Sequence, residues 1–503
     1  MVHRNNNSAS ALHVASGNGQ LSGSAPEALK KALGAGEYFT LSFAAIVGIG
    51  WIVMLGNWLR LGGPMGSVLA FAAAGVVMML VGLCYGEICT MIPASGGEIA
   101  YAYEVFGLRA SFVSGWFLAL IWISATSFEA ICTGWVTSIL FPSVQGPVLY
   151  TVRGTPVMAG PLILSLVGTL FLTFLNYRGM EGSARFQDVF TWTKIAISVM
   201  LAAAAILWGR VDNLRPLFAT GTDHRVTWLG ILQVLVTAPF WLAGFNTVAQ
   251  VMEEKKPESS YGAVAFALLA SIAAASLFYG AIILSCSMAM PWRDILVEDL
   301  PAAAAFRAAL HSDLGAKLVL ASGLLGLLAT WNSVFVAGSR TLFALGRARM
   351  IHPTFAYVDP RFGSPTISII WVGALSAAGV MIGRGALLPI VNMDSSCFML
   401  MYIMVCVAMI RMRSTAPALR RPFRVPGGVW TAGIATAASV SMAIESFYLP
   451  YAAGRTHIPL EWIVFIVWTV MGVGFWALAA NVRGEVSEGE RRELILGQRR
   501  LSS

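Results

Sequence analysis

Ala45-Ile46-Val47-Gly48-Ile49-Gly50-Trp51-Ile52 and Pro239-Phe240-Trp241-Leu242-Ala243-Gly244-Phe245-Asn246 are the two stretches that decide how this chain folds. Each lies within an apolar run of about 20 residues or more, the length a helix needs to cross a bilayer. Each carries residues that interrupt a helix, two glycines one residue apart in the first and a proline then a glycine in the second. An interruption leaves N–H and C=O groups without helical partners. At membrane depth such groups are tolerated only where they line a cavity.

Outward from these stretches, apolar runs recur along the whole sequence. Twelve are long enough to span, at residues 38–59, 66–92, 111–140, 158–177, 187–208, 227–251, 262–289, 315–346, 366–384, 387–411, 429–450 and 459–480. The interrupted runs are the first and the sixth, so they open two successive groups of five. Broken helices at corresponding places of two halves mark a solute site, because half-helix ends and bare backbone can hold a carboxylate and a cation. The expected fold is an all-α integral membrane protein of twelve transmembrane helices. Its expected segments are a disordered tail at 1–36, halves at 37–226 and 227–413, a final helix pair at 414–481 and a tail at 482–503.

Composition agrees. The 503 residues are 57% hydrophobic and 12% charged, with a mean hydropathy of +0.73. Soluble domains carry about 25% charged residues, so most of this surface faces lipid. The net charge is +8 and the pI about 9.3. Basic inner loops explain that excess without nucleic acid. With the N-terminus placed inside, 22 Lys and Arg fall in tails and inner segments against 10 outside, which makes both termini cytoplasmic. The lysine left over, Lys194, lies within the fifth run. The six cysteines form no C-x-x-C pair and sit in apolar stretches, and the six histidines sit in tails or loops. No metal site, disulfide framework or organic cofactor is expected. An intramembrane enzyme would need an in-span His, paired Asp or a Ser–Lys arrangement, and Lys194 has only Ser198 nearby. No filter-like repeat points to a channel.

Several short motifs, in order, carry a resemblance. They are Val47-Gly48-Ile49-Gly50-Trp51-Ile52, Gly62-Gly63-Pro64, Tyr85-Gly86-Glu87, Pro93-Ala94-Ser95-Gly96-Gly97, Gly115-Trp116, Gly244-Phe245-Asn246 with Glu253-Glu254 and Pro257, Arg340-Thr341-Leu342-Phe343-Ala344-Leu345-Gly346-Arg347, Pro353, Ser364-Pro365, and Arg420-Arg421-Pro422-Phe423-Arg424-Val425-Pro426-Gly427-Gly428. Across residues 38–428 the chain resembles the amino acid–polyamine–organocation transporters. The resemblance implies the 5+5 inverted repeat of the leucine-transporter-like fold and secondary active transport of a small amine-bearing solute. It places the solute between the backbone of Ile46, Val47, Gly48, Ile49 and Gly50 and that of Phe240, Trp241, Ala243 and Gly244, with Trp241 or Phe240 as an aromatic gate. There are departures. Ile49 stands where the family often has Ser or Thr, and Trp51 and Leu55 where it often has Ile and Pro. Pro239-Phe240-Trp241-Leu242 replaces a Phe-Phe-Ala-Phe stretch, and Asn246 replaces a Glu.

Charges at membrane depth cost about 2.5–3.5 kcal/mol on insertion scales and are functional candidates by default. The resemblance implies that Lys194 takes the place of a sodium ion and couples transport to protons. Thr330 and Ser333 lie where hydroxyls would complete a sodium site, the alternative coupling ion. Glu129 is a candidate the family motif does not supply, a carboxylate to pair a cationic substrate or carry a proton. Glu87 reads as structural or as an inner gate, Asp394 as a helix cap, and Glu253, Glu254, Lys255 and Lys256 as a solvated loop cluster. The expected function is a proton-coupled amino acid permease of the cell membrane, with an amino acid/amine exchanger or a polyamine or ethanolamine transporter as alternatives. The substrate is the only partner expected besides the bilayer.

Overall fold

A computed structural model describes residues 33–94, 96–178, 184–221, 226–252, 255–452 and 458–496. The first apolar run is broken as its glycines require. Helix α1 (Ala35–Ile46) stops, Val47-Gly48-Ile49 is non-helical, and the short α2 (Gly50–Val53) restarts the run toward α3 (Leu55–Met91). At about 1.5 Å per residue α3 would be about 55 Å long, too much for one crossing. It bends at Gly63, where φ is +69° and Pro64 follows. A side chain on Gly63 would meet the Phe218 backbone at 2.7 Å. The stretch before the bend completes span one and the stretch after it is span two.

The order continues with α4 (Glu98–Phe106), α5 (Leu108–Leu140), a two-stranded hairpin of β1 (Val148–Val152) and β2 (Thr155–Met158), α6 (Ala159–Tyr177) and α7 (Ala184–Trp208). The second half begins with α8 (Trp228–Leu242) and the short α9 (Thr247–Gln250), separated by the second break. Then come α10 (Tyr261–Ala289), α11 (Trp292–Ile295), α12 (Pro301–Leu310), α13 (Asp313–Arg347), α14 (Thr366–Val380) and α15 (Leu387–Thr415). The chain closes with α16 (Val429–Ala452), α17 (Leu460–Leu478), α18 (Ala480–Gly484) and α19 (Glu488–Leu496).

Among the described residues ten helices are long and apolar enough to cross a membrane. The other two expected spans fall on α7 and on the 15-residue α14, whose apolar stretches are shorter. The described residues are all-α apart from one hairpin. Burial sorts the helices by environment. The apolar window of α5 is 89% buried, whereas those of α6 and α17 are 22% and 17% buried. Helix α5 packs against α4, α6, α13, α14 and α15 and is the axis of the bundle. Apolar side chains such as Leu170, Phe171, Val470 and Val473 are exposed on the outer helices, where lipid takes the place of a protein partner.

Both ends of the described chain meet on one face. Leu33 bridges Lys255, and Lys256 pairs with Glu37 at 2.9 Å. On the same face α19 docks on α4 through Arg492 and Glu104 at 2.6 Å. Lys255 and Lys256 are therefore half-buried and hydrogen-bonded, not a solvated cluster, because they fasten the start of α1; Glu253 and Glu254 lie outside the described residues. Glu87 is structural, as its sequence context implies. It is fully buried and accepts from Arg413 Nε at 2.9 Å and from the Val425 N–H at 2.7 Å, with Arg421 Nε at 3.4 Å. One carboxylate thus closes the loop after α15 onto the end of α3.

Asp394 does not cap a helix. It lies seven residues inside α15, fully buried, and accepts from Ser124 on α5 at 2.6 Å. Its neighbours reach other helices in the same way. The Asn392 amide donates to Glu461 on α17, and Ser395 donates to the Thr237 carbonyl on α8. This polar band ties α15 to three helices. The sequence could not place it, because its partners lie on helices far away along the chain.

Candidate functional site

Two unwound segments face each other at the centre of the bundle. In the first, α1 ends at Ile46 and Val47 leaves helical geometry at φ −93° and ψ 86°. Helix α1 leaves carbonyls beyond the reach of any intrahelical donor, and the run starting at α2 leaves N–H groups of Ile49, Gly50 and Trp51 in the same condition. One carbonyl is already taken: the buried hydroxyl of Tyr279 on α10 donates to Ile46 O at 3.3 Å. In the second, Ala243 is extended and Gly244 adopts φ +119°. The Gly244 carbonyl then accepts from the Thr247 N–H at 3.1 Å and its hydroxyl at 2.6 Å, which starts α9. Pro239 supplies no N–H within α8, which weakens the turn before the break.

The two breaks touch. A methyl on Gly244 would lie 2.6 Å from the Ala45 carbonyl carbon and 2.8 Å from Ile46 N. Glycine is required there both by its φ and by the approach of the α1 backbone. A methyl on Gly50 would collide with the ring of Trp241. That indole therefore lies directly against the first break, only 3% exposed. It is held edge-on by Trp58, Phe128 and Phe240 at centroid distances of 5.4, 5.9 and 4.7 Å. Trp241 closes the site from one side, and Phe240, half-buried, stands next to it.

Glu129 reaches the same place. It is 6% exposed on α5, and a methyl on Gly48 would lie 3.2 Å from its Oε1 and 3.7 Å from Cγ2 of Thr330. The first break, a carboxylate from α5 and a residue of α13 thus converge on one bare glycine. The Thr330 hydroxyl donates to Gly326 O at 3.0 Å and keeps its lone pairs. Ser333 lies three residues further along α13, half-buried. Helix α7, which carries Lys194, packs against both α1 and α13; the Lys194 side chain is outside the described residues. Of the residues expected at the site, Ile46 to Gly50, Glu129, Trp241, Ala243, Gly244 and Thr330 are brought together here.

Sequence reasoning missed Glu98. It is fully buried at the first position of α4 and accepts from Tyr85 and from Asn246 of the second break. The signal was present, since Glu98 directly follows the Gly96-Gly97 turn. An acid at a helix start is ordinarily read as serving the helix dipole alone.

Interrupted helices packed on each other in an all-α membrane bundle define a multi-pass transporter. The comparisons with known proteins specify it. A family profile described as "Amino acid permease" matches residues 33–475, and the chain belongs to that family. It is similar to the "Methylthioribose transporter" of Bacillus subtilis (strain 168), at 26% identity over 454 residues, covering 89% of this chain and 92% of the relative. It is similar to the "Branched-chain amino acid permease BcaP" of the same organism, at 23% identity, covering 92% and 96%. The human "b(0,+)-type amino acid transporter 1" is 24% identical, covering 90% and 89%. The protein is a transporter of amino acids or related substrates, not an enzyme.

Proposed function

We propose that the chain is a proton-coupled importer of an amino acid or related small amine, working by alternating access without an organic cofactor. The observation that carries this reading is the contact between the two helix breaks, with Glu129 set against Gly48. N–H groups from Gly48 to Gly50 suit a substrate carboxylate, and carbonyls of Val47, Phe240 and Ala243 suit its ammonium. Glu129 supplies the charge that pairs the ammonium in a water-poor site. Trp241 swings off Gly50 to admit the solute and closes over it. The names of the relatives span branched-chain amino acids and methylthioribose, so the side-chain pocket rather than the backbone cradle sets the preference. Both termini lie on the cytoplasmic side of the cell membrane, the orientation the positive residues favour.

Lys194 carries the coupling. It sits on α7, the helix that packs against both α1 and α13, and in this reading its ammonium binds and loses a proton as the breaks move. Uptake of labelled leucine, arginine, putrescine, ethanolamine and methylthioribose into proteoliposomes tests this, with and without an inward proton gradient and with sodium exchanged for potassium. Wild type is expected to accumulate at least one of them only with the gradient and regardless of sodium. Lys194→Ala is expected to lose accumulation and keep substrate-for-substrate exchange. Full accumulation by Lys194→Ala would sink the coupling role. A sodium requirement would move the role to Thr330 and Ser333. Uptake that needs internal substrate and ignores pH would identify an exchanger.

A further inference from the structure

Three elements meet at one buried carboxyl that the transport cycle above leaves unused. Glu98 Oε1 accepts from the Tyr85 hydroxyl on α3 at 3.0 Å and from Asn246 Nδ2 at 2.9 Å. Asn246 belongs to the second break, and its Oδ1 accepts from the N–H of Gly244 at 3.3 Å. Gln250 of α9 lies beside the same carboxyl, its amide nitrogen buried and without a hydrogen-bond partner. Gly97, with φ +46°, would place a side chain 3.4 Å from Gln250, so the start of α4 lies directly on α9. A continuous chain of contacts therefore runs from the unwound backbone of the second break through Asn246 and Glu98 to α3. Where the resemblance expects a glutamate in the break, this chain has an amide there and draws the carboxyl from α4.

No described cation faces that carboxyl. Its titratable neighbours are Tyr85 and Cys89 on α3, Tyr101 on α4 and Tyr402 on α15, all fully buried. Arg492 is engaged with Glu104 in α4, and Arg491 donates to the Arg483 carbonyl. Lys255, past α9, donates to two backbone carbonyls. Burial pushes the Glu98 carboxyl above its ordinary range, and the hydrogen bonds from Asn246 and Tyr85 offset that only in part.

We propose that Glu98 is a proton-binding positioning residue that latches α4 onto the second break. It keeps its proton while α4 and α9 are packed together. When the break swings away, the proton passes from the carboxyl oxygen to water on that side, and the carboxylate left behind is solvated. The packed form binds the proton more tightly, so rising pH on that side favours opening. The inference rests on the proton-coupled reading and gives the inner side its own proton-linked step.

Hydrogen exchange of the Phe245–Gln250 segment tests it, on the full chain in lipid nanodiscs with neither substrate nor gradient. After correction for intrinsic exchange, wild-type protection should fall between about pH 5.5 and 8, by up to about tenfold per unit. Glu98→Gln keeps the shape of the side chain and should flatten that dependence to within about twofold. Tyr85→Phe removes a donor from the ionised form and should move the midpoint to higher pH. That variant keeps the test open should Glu98→Gln fail to fold. A wild-type slope retained in Glu98→Gln, a midpoint unmoved in Tyr85→Phe, or a flat wild-type profile would each overturn the latch. Because no solute is involved, failure here leaves gradient-driven uptake intact as a result, and failure of that uptake leaves this profile measurable.

Discussion

Glu129→Gln is expected to weaken binding of an amine-bearing substrate by about 10- to 100-fold, the equivalent of about 1.5–3 kcal/mol for one charge-assisted hydrogen bond. The carboxyl oxygen of Glu129 occupies the space a side chain at position 48 would fill, so it lies against the backbone that receives the solute. Glutamine keeps the volume and one acceptor but removes the charge, so packing of α5 should survive. Equilibrium binding of labelled leucine in detergent, repeated across pH, reads the effect. Affinity and pH dependence both unchanged would reduce Glu129 to a packing residue.

Gly244→Ala is expected to abolish transport and to destabilise the protein by about 2–4 kcal/mol. Two independent costs add at that position. Its φ of +119° is open to glycine and strained for any other residue. The added methyl would also lie 2.6 Å from backbone of α1, which has no side-chain freedom with which to yield. The second break would have to separate from the first, and the site exists only where they meet. Gly280→Ala is the matched control. It sits inside α10 with nothing within 4 Å of an added methyl and should leave stability unchanged or raise it by up to about 1 kcal/mol. Thermal unfolding in detergent, together with uptake, separates the two variants. Equal behaviour would mean that the breaks do not depend on their contact.

How much of this could be read without coordinates differs from residue to residue, for physical reasons. The breaks at Val47-Gly48-Ile49 and Ala243-Gly244 were legible because glycine and proline act locally, through φ and a missing N–H. Glu129 was legible because an acid in an apolar run is costly wherever the run goes. That Gly48 rather than another glycine receives it depends on how α5 meets α1, which no local signal encodes. Asp394 was misplaced because its partner Ser124 is 270 residues away. Glu98 was passed over for the same reason, since Asn246 is 148 residues distant and each residue alone looks ordinary. Long-range pairing of buried polar groups is the layer that hydropathy and motif leave unread.

The central claim is that the cradle formed by the two breaks holds an amine-bearing solute that the protein moves across the membrane. The most direct measurement is accumulation of labelled leucine, arginine, putrescine, ethanolamine or methylthioribose by folded wild-type protein in sealed proteoliposomes, set against Gly244→Ala in matched vesicles. The account predicts concentrative uptake of at least one of them by wild type and none by the variant. No uptake of any of them by verified folded protein, or equal uptake by Gly244→Ala, would contradict it.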